Sequence, residues 1–157
     1  TAHELGFAGA IQAGWDRITT DWIFHLECDF TFNRSVPLDA MIETLDQRSW
    51  LVQLALVRQP WNASERAAGG IVQQHPDSYQ LEQCDGGKFL SHSRHFTTNP
   101  CVYPRWIAAR GWPQTPQSEG MFGLKLFAED ATRRAGYWGA GEEWCFHVGE
   151  HRAGTGY

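Results

Sequence analysis

The segment from Trp22 to Phe30 constrains the fold most, because an apolar run ends there in two carboxylates, Glu27 and Asp29. A run of Trp, Ile, Phe and Leu predicts a buried β-strand. Side chains alternate along a strand, so both carboxylates are expected to point the same way at its carboxyl end, where open α/β sheets bind ligands. Two like charges crowded there repel each other unless a cation lies between them, and a divalent ion is the simplest candidate. The same alternation turns His25 away from the pair.

Helical periodicity surrounds this strand and a second one. Ahead of the first strand, four apolar residues at helical spacing predict a helix: Phe7, Ile11, Trp15 and Ile18. After the acidic pair, Ser35 is predicted to cap a second helix that has Pro37 in its first turn. Its buried face is predicted to contain Leu38, Met41, Ile42 and Leu45. The apolar segment 50–57 predicts a second core strand, and the alternation indicates an α/β fold with a sheet flanked by helices.

The second half of the chain shows fewer regular patterns. Residues 58–96 are polar and interrupted by Gly and Pro, so we predict a long loop with one short hairpin, suited to a lid or a substrate-binding element. Ser118 is predicted to cap a helix that continues through Phe122 and Leu126. Regular structure is predicted to resume at 101–103, and short strands are predicted at 137–138 and 144–146. No repeat or linker divides the sequence, so residues 1–157 are interpreted as one domain.

Composition argues against several classes of protein. The net charge of −5 disfavours a nucleic-acid surface, and no apolar run reaches the ~20 residues that span a bilayer. The first residues show no signal-peptide pattern and the four cysteines form no CxxC pair, so we predict reduced thiols in a cytoplasmic protein. Position 1 is Thr and not Met, which indicates a processed form or a fragment.

Two residues far from the acidic pair are candidates for the same site. His147 follows the apolar run 144–146, and a neutral imidazole binds Mn²⁺ well beside carboxylate oxygens; the alternative is a core histidine bonded to the backbone. Glu119, at the start of the predicted helix, is either a general base or a carboxylate stabilised by the helix dipole. The first acidic pair has a solvated strand end as its alternative. A second acidic pair, at 129–130, precedes two arginines and is interpreted as a salt-bridging surface.

Short motifs follow one another in an informative order. The small-residue helix at 6–14 precedes the apolar strand and the acidic pair. Further motifs come later, namely Asn99-Pro100, Arg110-Gly111-Trp112-Pro113, Ser118-Glu119, Tyr137-Trp138-Gly139 and His147-Val148-Gly149. This series resembles the family 2-like glycosyltransferases of the GT-A fold, in which a hydrophobic strand ends in an Asp-x-Asp motif. The end of the chain, 147–157, resembles glycosyltransferase-like proteins of phages and bacteria, and the resemblance covers nearly the whole chain.

The resemblance implies a GT-A-like, that is Rossmann-like, mixed sheet. It implies metal-dependent transfer of a sugar, of the hexosyltransferase type and with inversion, from a nucleotide-sugar donor to an acceptor hydroxyl. Asp29 and His147 would bind the metal ion, Mn²⁺ or Mg²⁺, and Glu27 would lie near the ribose or the metal. Glu119 would be the base that deprotonates the acceptor. The acceptor stays open among a glycan, a protein, a lipid and modified DNA.

Three departures from the family pattern accompany the resemblance. Glu27 stands where the first Asp of the motif is usual, and its longer side chain would shift the ribose contact. Ile11-Gln12 stands where such families often carry Arg-Asn, so a contact to the diphosphate or nucleotide is expected to be missing. The family's nucleobase-binding strand, loop and helix have no counterpart ahead of Thr1, so the domain is interpreted as incomplete at its N-terminus.

The sequence leaves two other functions open. A non-catalytic module of the same fold would bind carbohydrate or a partner chain through aromatic residues, and its acidic pair would be structural. Trp61 and Trp112 are candidates to stack on sugar rings, with core or surface packing as the alternative. A metal-dependent hydrolase would use Glu27, Asp29 and His147.

Overall fold

Helices and strands alternate along residues 5–151, the part of the chain that the structure, a computed structural model, describes. The helices are α1 (Gly6–Trp15), α2 (Leu38–Asp46), α3 (Ala63–Ala67), α4 (Ile71–Gln74), α5 (Arg105–Ala108) and α6 (Ser118–Ala128). The strands are β1 (Trp22–His25), β2 (Phe30–Phe32), β3 (Leu51–Ala55), β4 (Arg58–Gln59), β5 (Gln80–Cys84), β6 (Gly87–His92), β7 (Cys101–Pro104), β8 (Arg134–Trp138) and β9 (Cys145–His147). Two 3-10 turns occupy Pro76–Ser78 and Val148–His151. The end of the segment 147–157, for which a likeness to phage and bacterial glycosyltransferase-like proteins was expected, lies outside the described residues.

Six strands form the main sheet, in the order β1-β7-β3-β8-β6-β5. Of its neighbouring pairs, β3 and β8 run parallel and the others run antiparallel. The sheet is therefore mixed and open, with helices packed against it, which confirms the predicted α/β class. The hairpin predicted within 58–96 is formed by β5 and β6, and it is the edge of this sheet.

Successive residues of the central strands face opposite sides of the sheet and build two cores. In β7, Tyr103 packs into one core and Val102 into the other. The first core contains residues of α1 and α6, namely Ile11, Trp15, Phe122 and Leu126. The second contains residues of α2, namely Met41 and Leu45. Each large side chain buried in this way contributes about 1.5–3 kcal/mol of hydrophobic stabilisation, so the apolar faces read from the sequence hold the helices to the sheet.

The strand β1 is shorter and less buried than predicted. It pairs with β7 over Trp22–His25. In this register its next partner would be Pro100, which has no N–H and whose C=O accepts a hydrogen bond from the Leu56 N–H at 2.9 Å. The ladder therefore stops, and Glu27 and Asp29 lie on the loop and turn that follow. The prediction that alternation along a strand orients both carboxylates is wrong.

Both predicted helix caps are also wrong. The helix α2 has Pro37 at its N-cap position, so Ser35 lies exposed ahead of the helix. The helix α6 has Gln117 at its N-cap position with a left-handed φ of 58°, and Ser118 is its first helical residue. Neither N-cap makes a side-chain hydrogen bond. The two helices therefore depend on their buried faces and not on capping.

A second sheet of three short strands, in the order β2-β9-β4, positions the candidate site. Its central strand β9 runs antiparallel to β2 and parallel to β4. Since β2 follows β1 and β4 follows β3, this sheet joins the carboxyl ends of two main-sheet strands to the last part of the described chain. The residues after the acidic pair are thereby held against His147.

The remaining expectations concern thiols, membranes and surface charge. Cys28, Cys84, Cys101 and Cys145 are free. Between residues 5 and 151, no helix is long and apolar enough to cross a membrane. Glu129 forms ion pairs with two arginines, Arg110 and Arg133. The predicted salt-bridging role of the second acidic pair is confirmed.

Candidate functional site

Asp29 and His147 are neighbours in space although 118 positions separate them in the chain. In the small sheet, Phe30 of β2 lies opposite His147 of β9, so the residue before Phe30 comes beside the imidazole. Asp29 Oδ2 lies 3.3 Å from His147 Nε2, and the Val148 N–H donates to the Asp29 carbonyl oxygen at 2.8 Å. A side-chain contact and a backbone hydrogen bond therefore fix the pair.

Because Gly149 has no side chain, it leaves room for the side chains of Asp29 and His147 to meet. A Cβ atom at this position would collide with Asp29 Oδ2 and lie 3.0 Å from His147 Nε2. Any larger residue at 149 would therefore displace one of the two groups. The backbone at Gly149 closes one side of the pair.

The donor atoms of this pair are compatible with a bound cation. Asp29 Oδ1 and His147 Nδ1 are buried, and neither has a hydrogen-bond partner among the described residues. Leaving a carboxylate oxygen buried and unpaired is costly, and a cation relieves that cost. The 3.3 Å between Oδ2 and Nε2 exceeds the roughly 2.7–2.9 Å of a charge-assisted hydrogen bond.

Among the described residues, two such donors meet. Within residues 5–151, no group of three or more His, Cys, Asp or Glu side chains is arranged to hold a metal ion. A fully protein-coordinated structural metal does not fit this donor set. An ion that shares its coordination with phosphate oxygens and water does fit it.

Glu27 lies beside the pair on the loop after β1. Burial is the main cause that raises the pKa of Glu27 to about 7, and the charges of Asp29 and Glu119 raise it further. A hydrogen bond from the Thr98 side chain acts in the opposite direction. Like-charge crowding, which the sequence predicted for the acidic pair, is therefore present, although the strand does not produce it.

Glu119 lies in the first turn of α6 and faces another element. Its Oε1 accepts a hydrogen bond from the Thr98 N–H at 2.6 Å and a second from the Thr98 hydroxyl at 3.2 Å. Thr98 belongs to the segment between β6 and β7. The carboxylate of Glu119 is thus fixed by a neighbouring loop, and the sequence did not indicate this contact.

Gln53 is the second residue that sequence reasoning missed. It is fully buried in the central strand β3, between apolar neighbours. Its Nε2 donates to the Thr97 carbonyl oxygen at 2.6 Å, and its Oε1 accepts from the Thr97 N–H at 3.1 Å. A polar residue inside an otherwise apolar strand is the signal in the sequence that points to such a partner.

A cavity of about 680 Å³ connects these groups. Glu27, Glu119 and His147 line one part of it. Its volume lies within the range of about 300–1,000 Å³ that is usual for small-molecule sites. The segment 58–96, predicted as a long loop, instead contains α3 and α4 besides its strands, and residues of both helices line the cavity as well. His147, the imidazole partner of Asp29, therefore borders a space large enough for a substrate.

Three other residues considered in the sequence have different surroundings. His25 Nδ1 lies 3.0 Å from the Tyr103 hydroxyl, and burial lowers the pKa of His25 to about 4. His25 is not among the residues that line the 680 Å³ cavity. Trp112 is buried and stacks on Phe122 with ring centroids 5.0 Å apart, so it is core and not a sugar platform. Trp61 is half-buried, and its Nε1 has no hydrogen-bond partner among the described residues.

Comparison with models of known protein families, with curated proteins and with solved structures returns no match.

Proposed function

We propose that this chain is a glycosyltransferase domain of GT-A-like fold that transfers a sugar from a nucleotide-sugar donor to an acceptor hydroxyl with the help of a divalent cation. The observation that carries the proposal is the contact of Asp29 with His147 beside a cavity that Glu119 also lines. The order of sequence motifs and the mixed sheet support the same assignment.

Asp29 and His147 would hold the cation, Mn²⁺ or Mg²⁺, through the carboxylate and the imidazole. A divalent ion there supplies positive charge that stabilises the diphosphate as it leaves the sugar. Glu27 lies next to Asp29, and its longer side chain reaches the cavity wall, where it would contact the ribose or the ion. These residues would bind and orient the donor.

Glu119 would act on the acceptor. As the acceptor oxygen attacks the anomeric carbon, its proton passes to the carboxylate of Glu119, and the bond from the sugar to the diphosphate breaks with its electron pair staying on the diphosphate. Attack from the side opposite the leaving group inverts the anomeric centre. The Thr98 N–H holds Glu119 in place for this step.

Calorimetry tests the donor site directly. The chain would be titrated with Mn²⁺ alone, with UDP or GDP alone, and with each nucleotide in the presence of Mn²⁺. We expect nucleotide binding that depends on Mn²⁺ in the wild type and is lost in Asp29→Asn. The control is Asp46→Asn, which neutralises an exposed carboxylate at the end of α2. Wild-type protein that binds neither nucleotide in the presence of Mn²⁺ would contradict the proposal.

Product analysis separates transfer from hydrolysis. Nucleoside diphosphate release from UDP-, GDP- and TDP-sugars would be followed with and without a mixture of oligosaccharide acceptors. A transferase releases the diphosphate faster when the acceptor is present and yields a glycosylated product by mass spectrometry. Release at the same rate without acceptor, with free sugar as the product, would assign a hydrolase instead.

A further inference from the structure

Both hydrogen bonds that Thr98 makes to Glu119 end on the same oxygen. The Thr98 N–H donates to Oε1 at 2.6 Å and the Thr98 hydroxyl donates to Oε1 at 3.2 Å. The same hydroxyl can instead donate to the carboxyl of Glu27, an interaction that lowers the pKa of Glu27. One threonine therefore connects the two acidic residues on the cavity wall.

The segment that carries Thr98 is held from the centre of the main sheet. Gln53 makes two hydrogen bonds to the backbone of Thr97, and the Asn99 N–H donates to the Thr97 hydroxyl at 3.2 Å. On the other side, the Pro100 carbonyl oxygen accepts from the Leu56 N–H. Because both flanks are bonded to β3 or to the residue after it, Thr98 has little freedom to move away from Glu119.

We propose that Thr98 is the positioning residue of the catalytic base and that it selects Oε2 of Glu119 as the atom that receives the acceptor proton. This inference rests on the proposed function. A carboxylate oxygen that already accepts two hydrogen bonds has less electron density to offer, so the proton goes to the other oxygen. The two bonds to Oε1 also fix the carboxylate plane, which sets the direction of Oε2 relative to the bound sugar.

The surface of the protein provides a matched control for this arrangement. Thr132 donates from its N–H and its hydroxyl to one oxygen of Asp130, at 2.9 and 2.7 Å. The contact has the same donors and acceptor as that between Thr98 and Glu119, but it lies at an exposed turn after α6. Thr132→Val therefore removes an equivalent hydroxyl far from the cavity.

The test compares Thr98→Val, Thr98→Ser and Thr132→Val by steady-state kinetics with the donor and acceptor that the wild type uses. Valine keeps the backbone N–H and the shape of threonine but loses the hydroxyl, so we expect kcat to fall about tenfold, or about 1.4 kcal/mol, with the donor KM unchanged. Thr98→Ser should recover most of the lost kcat, and Thr132→Val should match the wild type. A merely structural role would not give this split between kcat and KM or this rescue.

The outcomes distinguish the two proposals. Wild-type kcat in Thr98→Val, or equal losses in the valine and serine variants, would overturn the positioning role and leave the transferase assignment intact. A wild type without turnover of any donor would overturn both. The hydrogen bond from the Thr98 N–H to Glu119 can also be tested without a variant at position 98. By NMR, the Thr98 amide proton should resonate far downfield in the wild type and move upfield in Glu119→Gln. An unmoved resonance would overturn the inference.

Discussion

His147 lies opposite Phe30 in the ladder between β2 and β9, and their rings stack with centroids 4.7 Å apart and planes 24° apart. The stack fixes the plane of the imidazole, and with it the direction in which Nε2 faces Asp29. A ligand ring that is already oriented loses little freedom when it binds an ion. Phe30 therefore acts on the candidate cation site without contacting the cation.

Replacing Phe30 should weaken Mn²⁺ binding. Phe30→Leu keeps an apolar side chain but removes the stacked ring, so we expect Mn²⁺ affinity to fall about tenfold, in the range seen when an outer-shell partner of a ligand is lost. Phe32→Leu is the control, because this residue lies on the same strand and its ring contacts Phe24 instead. Calorimetric titration with Mn²⁺ measures both variants, and equal affinities would contradict the role of the stack.

A methyl group at position 149 should separate Asp29 from His147. Gly149→Ala places a Cβ where the Asp29 carboxylate now lies, so one of the two side chains must move. We expect Mn²⁺-dependent nucleotide binding to be lost, with a thermal midpoint within a few degrees of the wild type. Gly14→Ala is the control, because a Cβ there meets no atom within 4 Å and alanine favours the helix by up to about 1 kcal/mol. Undiminished nucleotide binding by Gly149→Ala would argue against the cation site.

Local sequence patterns predicted the helices and strands that bury an apolar face. They missed the features that depend on residues distant in the sequence. The helical spacing of Ile11 and Trp15 and the apolar run of β3 were sufficient, because burial alone decides these elements. The end of β1 could not be predicted, since it depends on Pro100, which directly precedes β7 far along the chain. Ser35 resembled a cap, but the chain enters α2 through Pro37.

The residues of the candidate site also fall into two groups, those that local sequence patterns indicated and those that depend on contacts with distant segments. Asp29 and His147 became candidates because each comes after an apolar run, Glu119 because it lies at the start of a predicted helix, and the motif order supported all three. Thr98 contributes through its hydroxyl and through a backbone N–H, which every residue except proline possesses, so no residue pattern marks it. The pairing of β2 with β9, which brings the site together, joins distant segments that carry no mutual signal in a single sequence.

Glu119→Gln separates binding from chemistry. Glutamine keeps the shape of the side chain and can still accept the Thr98 N–H, but it cannot take a proton from an acceptor hydroxyl. We expect transfer to slow about 10²–10⁴-fold while Mn²⁺-dependent nucleotide binding persists. Pre-steady-state transfer and calorimetry measure the two quantities separately. An unchanged transfer rate would exclude Glu119 as the base.

Gln53→Leu should destabilise the fold far more than its volume change suggests. The substitution leaves the Thr97 N–H buried without a partner and leaves the Thr97 C=O with only the weak Cys101 thiol donor at 3.5 Å, so we expect the free energy of unfolding to fall by roughly 2–4 kcal/mol. Gln80→Leu, the same change at an exposed position of β5, should stay within about 0.5 kcal/mol of the wild type. Urea denaturation of both variants gives the comparison, and similar losses would contradict the hydrogen-bond argument.

Acid should destabilise the protein through three buried histidines. Burial lowers the pKa of His25 and of His95 to about 4, and it lowers the pKa of His92 well below the usual value. Between pH 6.5 and 4 the unfolded chain binds protons at these positions and the folded chain does not, so stability falls as the pH falls, by up to about 1.4 kcal/mol per pH unit for each ring. Glu27 acts in the opposite sense, because its raised pKa makes the folded chain bind the extra proton between about pH 4.5 and 7.

The three histidines make the free energy of unfolding rise with pH, and Glu27 makes it fall. Together they leave a net slope of up to about 3 kcal/mol per pH unit near pH 5.5. His95→Gln should reduce that slope by about 1.4 kcal/mol per pH unit, because one titrating ring is gone while glutamine can still bond to the Tyr137 hydroxyl that His95 Nε2 contacts at 2.9 Å. Urea unfolding at half-unit steps from pH 5 to 6.5 measures both slopes. A slope that is the same with and without His95 would show that this ring is not held neutral in the folded protein.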